Sequence, residues 1–322
     1  MITRGNTEFK NPHHPEPDYV VRGFELRHQD QEADFRYRMR KAEIGRPSEE
    51  QREYAARIRA AEARSQGVDP EEQQKKVHAW NEKRVAELRD HVEQEGAREY
   101  LIDISHILNG IDFTDFDPTF WFASGKMVPE PPFVGEWPPS DTLHITGKET
   151  WSEGRLHQRY FGARVRFELQ PRRMPDAPTG RYRSDPTMGL VGGVTGYVGD
   201  GDYLSGDRWS NCWLHRKQTM YQFGFAAPGD DNRKIIAISE APAETIFFIE
   251  RTLADDSVLD FHTFSGQFPM PSVTFTRNDI VPTQSIWVEL ELMFHVQLEG
   301  NSLFWIDREL LLQVFQWPLI GS

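Results

Sequence analysis

The sequence predicts an α+β chain: an extended N-terminal arm and a charged helical region, followed by a C-terminal antiparallel β-sandwich of jelly-roll type, with a barrel as second choice. Three observations carry that expectation. From Ser285 to Glu299 the chain alternates without a break, with Ile286, Val288, Leu290, Leu292, Phe294, Val296 and Leu298 on one parity and Glu289, Glu291, His295, Gln297 and Glu299 on the other. Beyond residue 140, short half-apolar runs recur between Pro, Gly and Asp turns, as sandwiches and barrels require. Between about 27 and 110 the punctuation is helical instead, with capping signals and few breakers.

Residues 1–26 place Pro12, Pro15 and Pro17 around His13 and His14, a composition that reads as an extended arm. Its Val20, Val21 and Phe24 have no local amphipathic element to bury them. In the region 27–110, Ser48 with Gln51 after Pro47 forms a capping-box pattern, and Asp69, Pro70 and Glu72 supply an N-cap, an N1 proline and an N3 carboxylate. From Pro70 the helical pattern runs to Asn109-Gly110, about 60 Å of helix. Its first stripe, Val77, Trp80, Val85, Leu88 and Val92, is thin and suits a partner helix; the stripe thickens at Tyr100, Leu101, Ile104, Ile107 and Leu108, where it docks on a sheet.

The segment 111–140 interleaves prolines with Phe113, Phe116, Phe120, Trp121, Phe122, Phe133 and Trp137, and reads as a packed strap without regular structure. Residues 141–322 form the sandwich. Strands are expected at 143–146, 161–169, 189–198, 221–225, 234–238, 245–249, 258–264 and 273–276, then at Ser285 to Glu299. After Glu299-Gly300-Asn301-Ser302 the chain is expected to turn back as a hairpin into Leu303–Ile306, with Asp307-Arg308-Glu309 dividing the last run. The polar parity of Ser285 to Glu299 is expected to face solvent, so Glu291→Gln should cost less than about 0.5 kcal/mol. The pair of runs WVELEL and LFWIDREL resembles the penultimate strands of lectin-like jelly rolls over some 25 residues.

Charge and cysteine content exclude several classes. Fifty acidic against 37 basic residues give a net charge of −13, unsuited to a phosphate backbone or an anionic membrane surface. The single cysteine, Cys212, rules out an intrachain disulfide framework. No secretory h-region precedes the arm, so the expected setting is intracellular or within a large assembly. No Walker loop, Rossmann fingerprint, G-x-S-x-G elbow or H-E-x-x-H occurs, and no cofactor is implied.

Weak metal candidates are Asp200, Asp202 and Asp207 in an acidic tight loop, the D-x-x-D-x-D of Asp112, Asp115 and Asp117, and a cupin-like set of His144, Glu149, Glu153 and His157 joined by His215, His262 or His295. For each, turn formation or a solvated side chain is the simpler reading. Tyr203, Trp209 and Trp213, in a polar stretch expected at the sandwich surface, are the candidate ligand platform. Glu289 and Glu291 share a face at a spacing that neither excludes nor establishes a glycosidase pair.

The main functional expectation is an assembly subunit, with a binding module and an enzyme as alternatives. The arm and the thin stripe, through Val20, Val21, Phe24, Val77, Trp80, Val85, Leu88 and Val92, point to a non-catalytic subunit of a homo- or hetero-oligomeric assembly. The aromatic platform points instead to a lectin-like carbohydrate- or small-ligand-binding module, or to an enzyme acting on a sugar or apolar small molecule.

Overall fold

The computed structural model describes residues 8–10, 120–129, 132–136, 142–199, 208–223, 233–251, 257–316 and 319–322, with isolated positions between 57 and 79. In chain order the strands are β1 (Glu8–Lys10), β2 (Phe120–Pro129), β3 (Val134–Glu136), β4 (Leu143–Thr146), β5 (Lys148–Trp151) and β6 (His157–Leu169). There follow β7 (Arg181–Ser184), β8 (Thr187–Val198), β9 (Arg208–Phe223), β10 (Arg233–Glu240) and β11 (Glu244–Arg251). The last five are β12 (Val258–Pro269), β13 (Val273–Thr276), β14 (Ile286–Glu299), β15 (Ser302–Gln316) and β16 (Leu319–Gly321).

One sheet has seven strands in the order β1-β2-β6-β14-β9, with β10 and β11 both on the far side of β9. The other has six, β12-β8-β15-β4-β3 with β5 also on β15. Every pairing is antiparallel. The two sheets share one core, so this part of the chain is the antiparallel sandwich that the alternation predicted. A small third sheet, β13-β7-β16, pairs Tyr182 with Phe275 as stacked rings 5.3 Å apart.

β14 lies at the centre of its sheet, laddered to β6 on one side and β9 on the other. Its apolar parity enters the core as expected: Ile286, Val288, Leu290, Leu292, Phe294, Val296 and Leu298 are all fully buried. Phe294 stacks on Phe161 of β6 at 4.9 Å and meets Phe264 of β12 edge-on, joining the two layers.

The structure departs from the sequence expectation at five places. The polar parity of β14 is buried as well: Glu289, His295, Gln297 and Glu299 are each under 5% exposed. The turn at Gly300 is not a hairpin, because β14 and β15 belong to different sheets. Gly300 takes a left-handed φ of 68° and its N–H donates to the carbonyl of Glu153, so the chain is redirected from one layer into the other. The stretch around Trp209 and Trp213, expected at the surface, is the first half of the 16-residue β9, with Trp209 buried and the apolar parity (Cys212, Leu214, Met220) filling the core. The strap contributes β2 and β3: prolines flank these strands or end them, and do not interrupt them. The last run is one strand, β15, whose ladder to β8 shifts between Asp307 and Leu311, where a break was expected.

Glu8, Phe9 and Lys10 of the arm pair with Lys126, Gly125 and Ser124 of β2, so these three residues extend the chain's own sheet. Arg57, Ala61, Arg64, Glu72, Lys75 and Ala79 are helical and exposed. Gly67 lies in a turn and Asp69 outside a helix; the rest of the region 27–110 lies outside the described residues, as do Val20, Val21, Phe24, Val77, Trp80, Val85, Leu88 and Val92. The α+β designation therefore reduces, over the described residues, to the β-sandwich. No helix among the described residues is long and apolar enough to cross a membrane.

Candidate functional site: the outer face of the seven-stranded sheet

Alternation on three adjacent long strands builds this face. On β6, Val165 and Phe167 point into the core, so Arg164 and Arg166 point out of it. Antiparallel register then places residues from β6, β14 and β9 in rows. One row is Arg164, Glu291 and Lys217; the next is Arg166, Glu289 and Thr219. Two rows the other way lie Tyr160, His295 and Trp213, and beyond them Gln158, Gln297 and Asn211. Opposite charges face each other across the ladder, the arrangement that stabilises neighbouring strands.

Arg164 Nε donates to Glu291 Oε2 at 2.5 Å, with the arginine side chain 1% and the glutamate side chain 14% exposed. In so dry a setting the pair is worth less than the cost of breaking it, since a lone buried guanidinium loses several kcal/mol of hydration. Trp213 is half-buried, its ring nearly parallel to His295 at 5.4 Å and 24°. Phe248 of β11, 50% exposed, meets both Trp213 and Trp209 edge-on at 6.3 Å. Asn211 Oδ1 accepts from the backbone N–H of Ile249 at 2.9 Å, which ties β9 to β11 beside the aromatic group. The face is most accessible along β9, where Trp213, His215 and Lys217 are intermediate in exposure, and out to Phe248.

Of the sequence candidates, the structure unites Trp209 and Trp213 on one face. Tyr203, Asp200, Asp202 and Asp207 lie outside the described residues, as do Asp112, Asp115 and Asp117. The sequence alone does not reveal that His295 stacks on Trp213, or that Arg164, Arg166 and Glu289 share the same sheet face. Their signal is the polar parity of β14 and β6, which in β14 reads from sequence as a solvated face. The cupin-like set divides in two. His157 Nε2 lies 3.1 Å from Glu149 and stacks on Trp151 at 4.0 Å, while His144 Nδ1 lies 2.8 Å from Glu309. Among the described residues no three metal-capable side chains converge. Cys212 is enclosed in the core, and burial pushes its thiol well above the ordinary range, which suits packing and not nucleophilic attack.

No family model matches the chain. No curated protein matches it either. Among solved structures, the chain overlaps a carbohydrate-binding module of the β-sandwich superfamily, described for promiscuous specificity, at 12% identity and a TM-score of 0.19. That overlap covers 65% of this chain and 61% of that one, so less than two thirds of the module is spanned. A family 61 carbohydrate-binding module in complex with β-1,4-galactotriose overlaps at 8% identity, covering 60% of this chain and 90% of that one, with a TM-score of 0.12. A xylan-binding domain of family 22 overlaps at 12% identity, 59% and 93% coverage, and a TM-score of 0.11. At these TM-scores the overlaps decide neither ancestry nor function, and the sandwich assignment stands on the strand topology alone.

Proposed function

We infer that this protein is a non-catalytic, lectin-like module that binds a neutral carbohydrate on the outer face of the seven-stranded sheet. The observation that carries the reading is Trp213, half-buried between the parallel ring of His295 and the exposed ring of Phe248, with the amides of Asn211 and Gln297 one row away. A pyranose offers an apolar C–H face to an aromatic ring and a rim of vicinal hydroxyls to planar amide and carboxylate groups. Trp213 and Phe248 supply the rings at the surface, and His215 and Lys217, half-buried on the same strand as Trp213, supply polar groups, while Asn211 and Gln297 lie buried behind the platform.

Charge selects the class of sugar. Basic and acidic groups alternate across the rows, Arg164 against Glu291 and Arg166 opposite Glu289, so the face sets up no strong field of one sign. With −13 on the chain as a whole, polyanionic glycans are repelled and neutral ones are not. The assembly-subunit reading draws on the arm and the helical region; among the described residues its support is confined to the exposed apolar edge formed by β10 and β11.

Affinity electrophoresis of the full-length protein through gels containing soluble neutral polysaccharides tests the proposal. Retardation by at least one of them is expected, and Trp213→Ala should weaken it by roughly ten-fold, the loss expected for one stacked ring. Free migration through every neutral polysaccharide, or unchanged retardation of the Trp213→Ala protein, would overturn the reading.

A further inference from the structure

β10 and β11 are two halves of one edge. β10 ladders onto β9 from Arg233 opposite Phe223 to Glu240 opposite Lys217, and β11 continues along the same strand from Glu244 opposite Leu214 to Arg251 opposite Arg208. The N–H of Ala241 donates to the carbonyl of Arg216 at 3.0 Å, and Pro242, which has no N–H, marks the junction. No described strand pairs with the other side of this edge. Such edges are ordinarily short, charged or covered, because an open one templates pairing with another chain. This one exposes Ile235 (45%), Ile238 (55%) and Phe248 (50%), all on the outer face.

The edge is also complementary to itself. A two-fold axis perpendicular to the sheet, passing between Ala241 and Pro242, sets β10 of one copy antiparallel to β11 of the other. Ile235 then lies opposite Phe248, Ile238 opposite Thr245 and Arg233 opposite Glu250, and each pairing occurs twice. The faces agree along the whole length. Arg233, Ile235 and Ile238 share the outer face through their partners Phe223, Tyr221 and Thr219, and Thr245, Phe248 and Glu250 share it through Trp213, Asn211 and Trp209. Each half carries one extra residue relative to β9, Ile236 in β10 and Ile246 in β11. In the two-fold register these bulges oppose each other, so neither throws the pairing out of phase. A slip of one residue would set outer side chains against inner ones. Pairing β10 with its own copy also keeps phase, yet it leaves Phe248 uncovered.

We propose that this edge docks a second copy of this chain, forming an isologous dimer in which the two seven-stranded sheets join into one. The outer face becomes continuous across the axis, and Ile235 and Phe248 leave water together. The dimer and the carbohydrate platform share Phe248, but mass is measured without ligand, and Ile235→Lys tests association without touching the platform.

Light scattering of the full-length protein from micromolar to hundreds of micromolar should show a monomer passing into a dimer. Ile235→Lys or Phe248→Lys, each placing a charge against an apolar partner, should weaken association by at least roughly ten-fold. Register is read by cross-linking. Chains carrying Ile235→Cys, mixed with chains carrying Phe248→Cys and oxidised with glutathione disulfide, should give a disulfide-linked dimer that neither variant forms alone; buried Cys212 does not compete. A monomer mass at every concentration would overturn the proposal, as would a dimer indifferent to the lysine substitutions. Equal cross-linking by either cysteine variant alone, or preferential cross-linking of Ile235→Cys with Ile238→Cys, would overturn the register. If a lysine variant misfolds, the cysteine mixture decides.

Discussion

Glu291 and Leu292 are adjacent in the chain and lie on opposite faces of β14. Leu292 is fully buried in the core, and Leu292→Asp should cost several kcal/mol through an unpaired buried charge. For Glu291→Gln the sequence expectation of less than about 0.5 kcal/mol gives way, because the partner guanidinium of Arg164 is withdrawn from water. Removing the carboxylate charge should cost about 2 to 3 kcal/mol, part of the price of breaking a buried pair. Urea denaturation of the two variants checks both values, and a Glu291→Gln cost near zero would show that Arg164 is compensated elsewhere. Asp279 offers a pH-dependent case. The hydroxyl of Thr276, then its backbone N–H, donates to the carboxylate at 2.7 Å, and these bonds hold the carboxyl below its ordinary value. Its stabilising contribution is therefore complete above the ordinary carboxylate range and is lost as pH falls through the lowered value. In a carbon NMR titration the Asp279 midpoint should lie below that of an unstructured aspartate, and Thr276→Val should raise it.

β6 and β14 show how tightly the long strands are packed. Gly162 sits opposite Met293, and a Cβ there would lie 2.1 Å from the carbonyl oxygen of Leu292, which is backbone and cannot swing away. Gly162→Ala should therefore cost about 1 to 3 kcal/mol or more, as overpacking does. At exposed Gly154 a Cβ would meet nothing within 4 Å, so Gly154→Ala serves as the control with little change. Comparing the two melting temperatures tests whether β6 and β14 approach as closely as described; equal melting would refute it.

For the molecule as a whole, the unit of stability is the sandwich together with β2, which pairs with β6 along nine residues from Phe120 to Pro129. Limited proteolysis of the full-length protein should leave a resistant fragment that begins before Phe120, not at residue 141, because β2 is hydrogen-bonded into the sheet. A stable fragment lacking residues 120–129 would show that β2 is dispensable. The outer face and the open edge belong to the same sheet, so a dimer through β10 and β11 would bring two copies of the Trp213 platform onto one surface.

Local pattern alone was enough for the strands whose two parities differ in polarity: β14 and β6 were legible from alternation, and β10, β11 and β13 from short apolar runs between turns. β9 was not, because its core parity includes Arg208, Ser210, Gln218 and Gln222, polar residues buried at positions where periodicity expects apolar ones. β2 was obscured by the prolines around it. The candidate site was half legible: Trp209 and Trp213 drew attention by composition, yet alternation says only that two faces differ, not what each one meets. Which strands neighbour β14, and hence that His295 stacks on Trp213 and that Arg164 grips Glu291, depends on pairing between residues that lie 82 and 127 positions apart. The same holds for Gly300, whose local sequence suits a hairpin or a crossing equally well. Only the competition of β6, β9 and β8 for partners sends β14 and β15 into different sheets.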